Sequence, residues 1–213
     1  MLINLRNALM TGKRLPYDAE VEYLESTGTQ WIDTGLPIAP NFYLDATFSI
    51  PSTIPHVLTF MGTTTLSQPY YRFWVCSIQT NKTINCGLIN NAISTATLTA
   101  DEPHNIYVKF FDGEQLCKLD GTTIVSATNT SDSSAKAAWL AQGNLFIGRS
   151  RLNEQFNFIG KVFAVKIYDA NGTLVRDFVP VRKGTVGYLY DRVTRKLFGN
   201  AGTGDFVLGP DKN

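Results

Sequence analysis

Histidine and cysteine are rare in this chain, and each scarcity narrows what it can be. His56 and His104 are the only histidines, and Cys76, Cys86 and Cys117 the only cysteines. None of them has CxxC or Cys/His spacing, which argues against a zinc site. An odd cysteine count argues against a disulfide scaffold. Cys76 and Cys86 can approach on adjacent antiparallel strands, but such placement alone does not make a disulfide. Free buried thiols are the expected state, cysteine being among the commonest core residues. Charge is thin as well. Charged residues make up 17%, and 19 Lys+Arg against 18 Asp+Glu leave a net charge of +1. No basic run occurs, so the attraction that dominates nucleic-acid binding is missing and nucleic acid is not an expected partner. No stretch approaches the roughly 20 apolar residues of a membrane span. The opening MLINLRNALMTGKRLPYDAE carries Arg6, Lys13 and Arg14 within or after its apolar part, unlike a secretory signal. Gly-x-Ser-x-Gly elbows, P-loops, dinucleotide fingerprints and internal repeats are missing too.

What fills the space is threonine, asparagine, serine and glycine, around a 44% hydrophobic content. A polar, weakly charged surface of this kind suits β-rich extracellular, viral or carbohydrate-handling proteins, or simply an all-β chain with Thr strands and Asn/Gly turns. At 213 residues the chain can bury one substantial core. Leu2, Leu5 and Leu9 recur at helical spacing, and Pro16 ends that pattern. Residues 1–18 therefore read as a leader, either a docking arm or a strap, with one domain at 19–213. Beyond it the signals are strands. In Phe42–Ile50, Leu44, Ala46, Phe48 and Ile50 alternate with Tyr43, Asp45, Thr47 and Ser49, the pattern of a half-buried antiparallel strand. Asp112-Gly113 and Asp120-Gly121 are hairpin turns joining 106–111, 115–119 and 122–127 into a meander. In the long strand at 161–168, Phe163, Val165 and Ile167 are expected to face the core. Asn171-Gly172 then turns the chain back. Many short strands with frequent turn signals predict an all-β antiparallel sandwich or barrel.

Three separated segments carry a resemblance. YLESTGTQWIDTG at 23–35, IGKVFAVKIYDANGTLVRDFVPV at 159–181 and GYLYDRVTRKLFGNAGTGDF at 187–206 are similar to segments of laminin-G-like modules in bacteriophage and gut-bacterial proteins. These belong to the concanavalin A-like lectin/glucanase superfamily. The resemblance covers residues 20 to 208 and implies a concanavalin A-like jelly roll, an antiparallel two-sheet sandwich. It assigns no catalytic residue.

Three chemistries can be weighed on these residues. Glu20, Glu22 and Glu25 invite comparison with the Glu-x-Asp-x-x-Glu strand of glycosidases on this fold, which needs two carboxyl groups about 5–5.5 Å apart for retaining hydrolysis. Glu22 replaces the Asp, and strand alternation puts Glu25 on the other face from Glu20, so a charged edge strand is the expected role. Calcium at a sandwich rim is implied by the resemblance, and Asp33, Asp45, Asp112, Asp120, Asp132 and Asp169 lie near turns. None sits in a dense acidic loop, so no cofactor or metal is expected. Sugar recognition needs aromatic platforms beside amide and carboxylate groups. Trp74 reads as core. Trp139, beside Gln142 and Asn144, is the best platform, with Trp31, Tyr70 and Tyr71 completing the candidate ligand set; core packing competes for every tryptophan.

The expected function is a non-enzymatic binding or structural module, a bacteriophage virion component on capsid or tail that contacts host-surface glycans. The leader would attach it to other virion proteins, and self-association is expected. The alternative is a secreted or surface bacterial carbohydrate-binding protein; a glycoside hydrolase of the same fold is the third reading.

Overall fold

Alternation of buried and half-exposed side chains, strand after strand, decides how this chain packs. The computed structural model describes residues 15–39, 41–64, 72–88, 93–111, 114–128, 143–150 and 156–212. The first strands are β1 (Ala19–Glu20), β2 (Leu24–Thr27), β3 (Ile32–Pro37), β4 (Phe42–Ser49), β5 (Leu58–Thr64), β6 (Arg72–Ile78), β7 (Thr83–Leu88) and β8 (Ile93–Thr97). There follow β9 (His104–Phe111), β10 (Glu114–Leu119), β11 (Thr122–Ala127) and β12 (Asn144–Ile147). The last are β13 (Ile159–Tyr168), β14 (Leu174–Lys183), β15 (Val186–Asp191), β16 (Lys196–Phe198) and β17 (Val207–Leu208).

Two layers result. The larger sheet runs β11-β10-β9-β4-β13-β14-β15-β16, with β2 beside the first half of β13, β17 beside β2, and β1 beside β14. The second layer holds β5-β6-β7-β8 and the β3-β12 ribbon. Gly148 N donates to Phe60 O at 2.7 Å, and Gly62 bridges Ser150, so the ribbon continues that layer. Between them Phe48 of β4 stacks on Phe60 of β5 at 4.7 Å. Phe158 stands edge-on to both, at 5.8 and 5.3 Å. All three rings are fully buried. The fold is thus an all-β, antiparallel two-sheet sandwich of the jelly-roll kind.

Local chemistry explains the turns. Asp120 and Gly121 have φ of 48° and 81°, as a two-residue type I′ turn requires, and they close the expected β9-β10-β11 meander. The companion Asp112-Gly113 lies outside the described residues. At 169–172 only Gly172 takes a positive φ, 80°. Asp169 Oδ1 accepts from Asn171 N and Thr173 N, both at 2.9 Å, so the aspartate rather than an Asn-Gly pair organises that hairpin. The β15-β16 turn is held by buried Asp191, whose Oδ2 accepts from the Thr194 hydroxyl at 2.6 Å and whose Oδ1 accepts from Val193 N and Asp177 N.

Two expectations change. Phe163 is not in the core. Val162 pairs with Phe48 and Ala164 with Thr47, leaving Phe163 as the extra residue of a β-bulge. The bulge reverses parity: Val162, Val165 and Ile167 point inward, while Phe163 sits outside, 5.7 Å from Tyr23 in an edge-on contact. The acid-rich segment is not one edge strand either. It divides into β1 and β2, and β2 lies between β13, where Lys161 opposes Glu25, and β17, where Val207 does.

The expected leader, residues 1–18, falls largely outside the described residues. Of its described end, Asp18 N donates to Arg182 O at 2.9 Å and the Tyr17 ring lies 4.9 Å from Tyr190. Near the other end of the chain, Val21 bridges Asp211 and Lys212 N donates to Glu20 O at 2.8 Å.

Gly160 has a φ of 142°, and a Cβ there would overlap the Ser49 carbonyl oxygen. Gly160→Ala is expected to destabilise the fold by roughly 3 kcal/mol or more. Gly172→Ala meets nothing nearby and should cost only about 1 kcal/mol for its left-handed backbone. Urea denaturation of both variants checks the difference.

Candidate functional site

Strand parity that buries Leu44, Ala46 and Phe48 turns Tyr43, Asp45 and Thr47 outward on β4. Their neighbours follow from register. On β9, Lys109, Tyr107 and Asn105 stand opposite them; on β13, Tyr168, Lys166 and Ala164 do. The result is a three-by-three grid on the outer face of the larger sheet: Tyr168–Tyr43–Lys109, Lys166–Asp45–Tyr107 and Ala164–Thr47–Asn105. All nine side chains are half-buried.

The grid combines flat rings with oriented polar groups. Tyr43 lies 6.3 Å from Tyr107 and 4.9 Å from Phe111. Asn105 Nδ2 donates to Asp45 Oδ1 at 2.7 Å, which fixes both the amide and the carboxylate. Lys109 Nζ reaches Glu114 Oε2 at 2.6 Å and stands 5.1 Å from the Phe111 centroid. Partial burial pushes the Tyr107 phenol up, and Tyr43, Asp45 and Tyr168 push the same way against Lys109. The hydrogen bond that Lys109 donates to Glu114 likewise holds its ammonium above its ordinary range. At neutral pH the face therefore presents a neutral Tyr107 hydroxyl and a charged Lys109. Rings for apolar ring faces, with donors and acceptors beside them, suit a polyhydroxylated ligand. Among the described residues no three His, Cys, Asp or Glu side chains converge as a metal site.

Of the residues singled out from the sequence, Trp31 and Asn144 lie elsewhere. Trp31 and Asn144 are brought onto one ribbon, because β3 and β12 pair antiparallel. Asn144 Nδ2 donates to both Asp33 carboxylate oxygens, at 3.0 and 3.3 Å, while Asp33 Oδ1 accepts from Gly35 N. Trp31 packs on Phe146 at 4.3 Å, with the Arg149 guanidinium 4.9 Å from its ring. Its N donates to Asn200 Oδ1 and its O accepts from Ala201 N. Gly202 is so close that a Cβ would meet the indole Cδ1 at 2.8 Å. Trp31 thus pins the loop at 200–204 to the ribbon. Tyr70, Tyr71, Trp139 and Gln142 lie outside the described residues, as do Asp112, Asp132 and the Trp74 side chain.

The acids have protein partners. Glu20 accepts from Arg192 at 3.0 and 3.2 Å and from the Tyr17 hydroxyl at 3.2 Å. Asp120 accepts from Asn105 N and contacts His104 Nδ1 at 2.7 Å. Sequence reasoning missed the grid although half its signal was visible: the alternations at 42–50 and 161–168 already turn Tyr43, Asp45, Lys166 and Tyr168 outward.

No family model matches the chain, and no curated protein matches it. Solved structures do resemble its fold. A Bacteroides ovatus protein provisionally described as carbohydrate-binding matches with a TM-score of 0.59 at 13% identity, over 92% of this chain and 61% of its own. The chain therefore spans about three fifths of that protein. The native heptameric SAP-like pentraxin of Limulus polyphemus matches with a TM-score of 0.53 at 12% identity, over 92% of this chain and 96% of its own. A Trypanosoma rangeli sialidase in complex with 2,3-difluorosialic acid matches with a TM-score of 0.52 at 15% identity, over 73% of this chain and 26% of its own. At such identities the likeness is one of fold. No helix among the described residues is long and apolar enough to cross a membrane.

Trp31→Ala should lower the unfolding free energy by about 2 kcal/mol, a half-buried ring lost, and open residues 200–204 to limited proteolysis. A urea titration and a trypsin time course measure both.

Proposed function

We propose that the protein is a non-enzymatic carbohydrate-binding module of laminin-G-like type, and that the outer face of β4, β9 and β13 is its glycan platform. The observation that carries this reading is the grid itself. It sets Tyr43, Tyr107 and Tyr168 beside the hydrogen-bonded Asp45–Asn105 pair. Its support from outside the chain is a fold shared with the Bacteroides ovatus protein and the pentraxin. The reading held second on the sequence, a secreted or surface carbohydrate-binding protein, thereby moves first. The bacteriophage virion component expected first gains no support from the structure or the comparisons. The heptameric state of the pentraxin is the one finding that bears on self-association here, and it speaks for that protein. For the hydrolase reading, Glu20 is already engaged by Arg192 and Tyr17, which favours binding without cleavage.

A glycan array identifies a ligand, and titration of the best hit then tests the platform. Tyr43→Ala, Tyr107→Ala and Tyr168→Ala should each weaken binding about tenfold, the worth of roughly 60 Å² of apolar contact at ~25 cal/mol per Å². Lys183→Ala, at the exposed end of β14, should leave affinity unchanged. Undiminished binding by the triple tyrosine variant, with its fold intact, would refute the platform. Reducing-sugar release lost in Glu20→Gln would instead establish the hydrolase.

A further inference from the structure

The three cysteines, found free, are not scattered. Cys86 of β7 and Cys117 of β10 come from opposite layers of the sandwich, and their Sγ atoms lie 2.8 Å apart. Both side chains are buried, at 3% and 0% exposure. Val108, Phe110 and Val125 line the space around the pair, together with the buried Gln115. Cys76 of β6, also fully buried, sits on the strand next to β7, where the register slips between Trp74 and Ser77. That slip sets Val75 and Cys76 together against Cys86, so Cys76 borders the pair, but the shortest sulfur contact is the one between Cys86 and Cys117.

We infer that Cys86 and Cys117 are the site of an inter-sheet disulfide, formed when the chain folds in the presence of a low-molecular-weight disulfide. A disulfide holds its sulfurs about 2.05 Å apart, so closing the bond from 2.8 Å asks for a movement of under about 1 Å. One cysteine attacks glutathione disulfide and releases one glutathione thiol. The second cysteine then displaces the other glutathione. The two thiol hydrogens end on the two glutathiones, and the glutathione disulfide is reduced by two electrons. Burial raises the Cys76 and Cys86 thiols well above their ordinary range. With both sulfurs of the pair buried in the finished fold and Cys86 holding little thiolate, the exchange belongs to the closing of the two sheets. Cys76 is left as the single free thiol. The cross-link joins residues 31 apart in sequence and should raise the melting temperature by roughly 10 °C.

The test is to refold the denatured chain with glutathione disulfide and glutathione, and in parallel with dithiothreitol. Each product is alkylated with iodoacetamide and mapped after trypsin digestion. Cleavage after Arg72, Lys82, Lys109 and Lys118 puts the three cysteines on separate peptides. The expected product of oxidative refolding is roughly 2 Da lighter than the reduced one before alkylation, links the peptide of Cys86 to that of Cys117, and after alkylation carries its one alkyl group on Cys76. Cys76→Ser should keep the link. Three alkylated cysteines after oxidative refolding, or a link that includes Cys76, would overturn the inference. Mapping the unmodified sequence decides the matter even where a variant fails to fold.

Discussion

Strand β13 is the member from which both the core and the outer face take their order. It meets β4 along one side, and along the other it meets β2 and then β14. The bulge at Phe163 falls between the β2 and β14 pairings and changes the strand's parity there. Before the bulge, Gly160 gives room to the Ser49 carbonyl and Val162 points inward. After it, Val165 and Ile167 point inward, while Lys166 and Tyr168 join the grid. The residue set on the outside is what lets one strand bury three side chains, Val162, Val165 and Ile167, in the core.

The two faces of the larger sheet then divide the work. The inner face carries Phe48, which meets Phe60 of the second layer and Phe158 in an aromatic cluster whose burial stabilises the sandwich. The outer face keeps its rings half-buried, each beside a polar neighbour. On the proposed glycan-binding reading, ligand contact would need no loop to be ordered, because the outer face is built from backbone already held in a ladder, and preorganised contacts lose less entropy on binding. The ribbon bearing Trp31 serves a different need, anchoring the loop at 200–204 through Gly202 and Asn200.

Much of this was legible from residue order. The alternation at 42–50 marks both faces of β4, and Asp120-Gly121 announces its turn. The sandwich class follows from many strands without helical periodicity. What order could not show was adjacency. Asp45 meets Tyr107 and Lys166 only because three strands far apart in sequence lie side by side. The bulge was hidden for another reason: one extra residue inverts inside and outside without altering composition, so Phe163 reads as core until its partner strand is known. The tryptophans drew attention because they are large and rare, but Trp31 is spent on its neighbours. The smaller tyrosines, spaced two apart from acids and lysines, were the quieter signal.

The pairing of β17 with β2, and the bridge between Val21 and Asp211, bring the two borders of the sandwich to one place on its rim. Entry and exit side by side make the module a plug-in unit. It can be spliced into a surface loop of a host domain with little cost in chain closure, since the host sees only a short gap. The same geometry lets the borders be joined and the chain reopened at another loop. Copies strung in tandem would then hang from a common line by their rims, each keeping its tyrosine-bearing outer face, and on the proposed reading such an array would gain avidity.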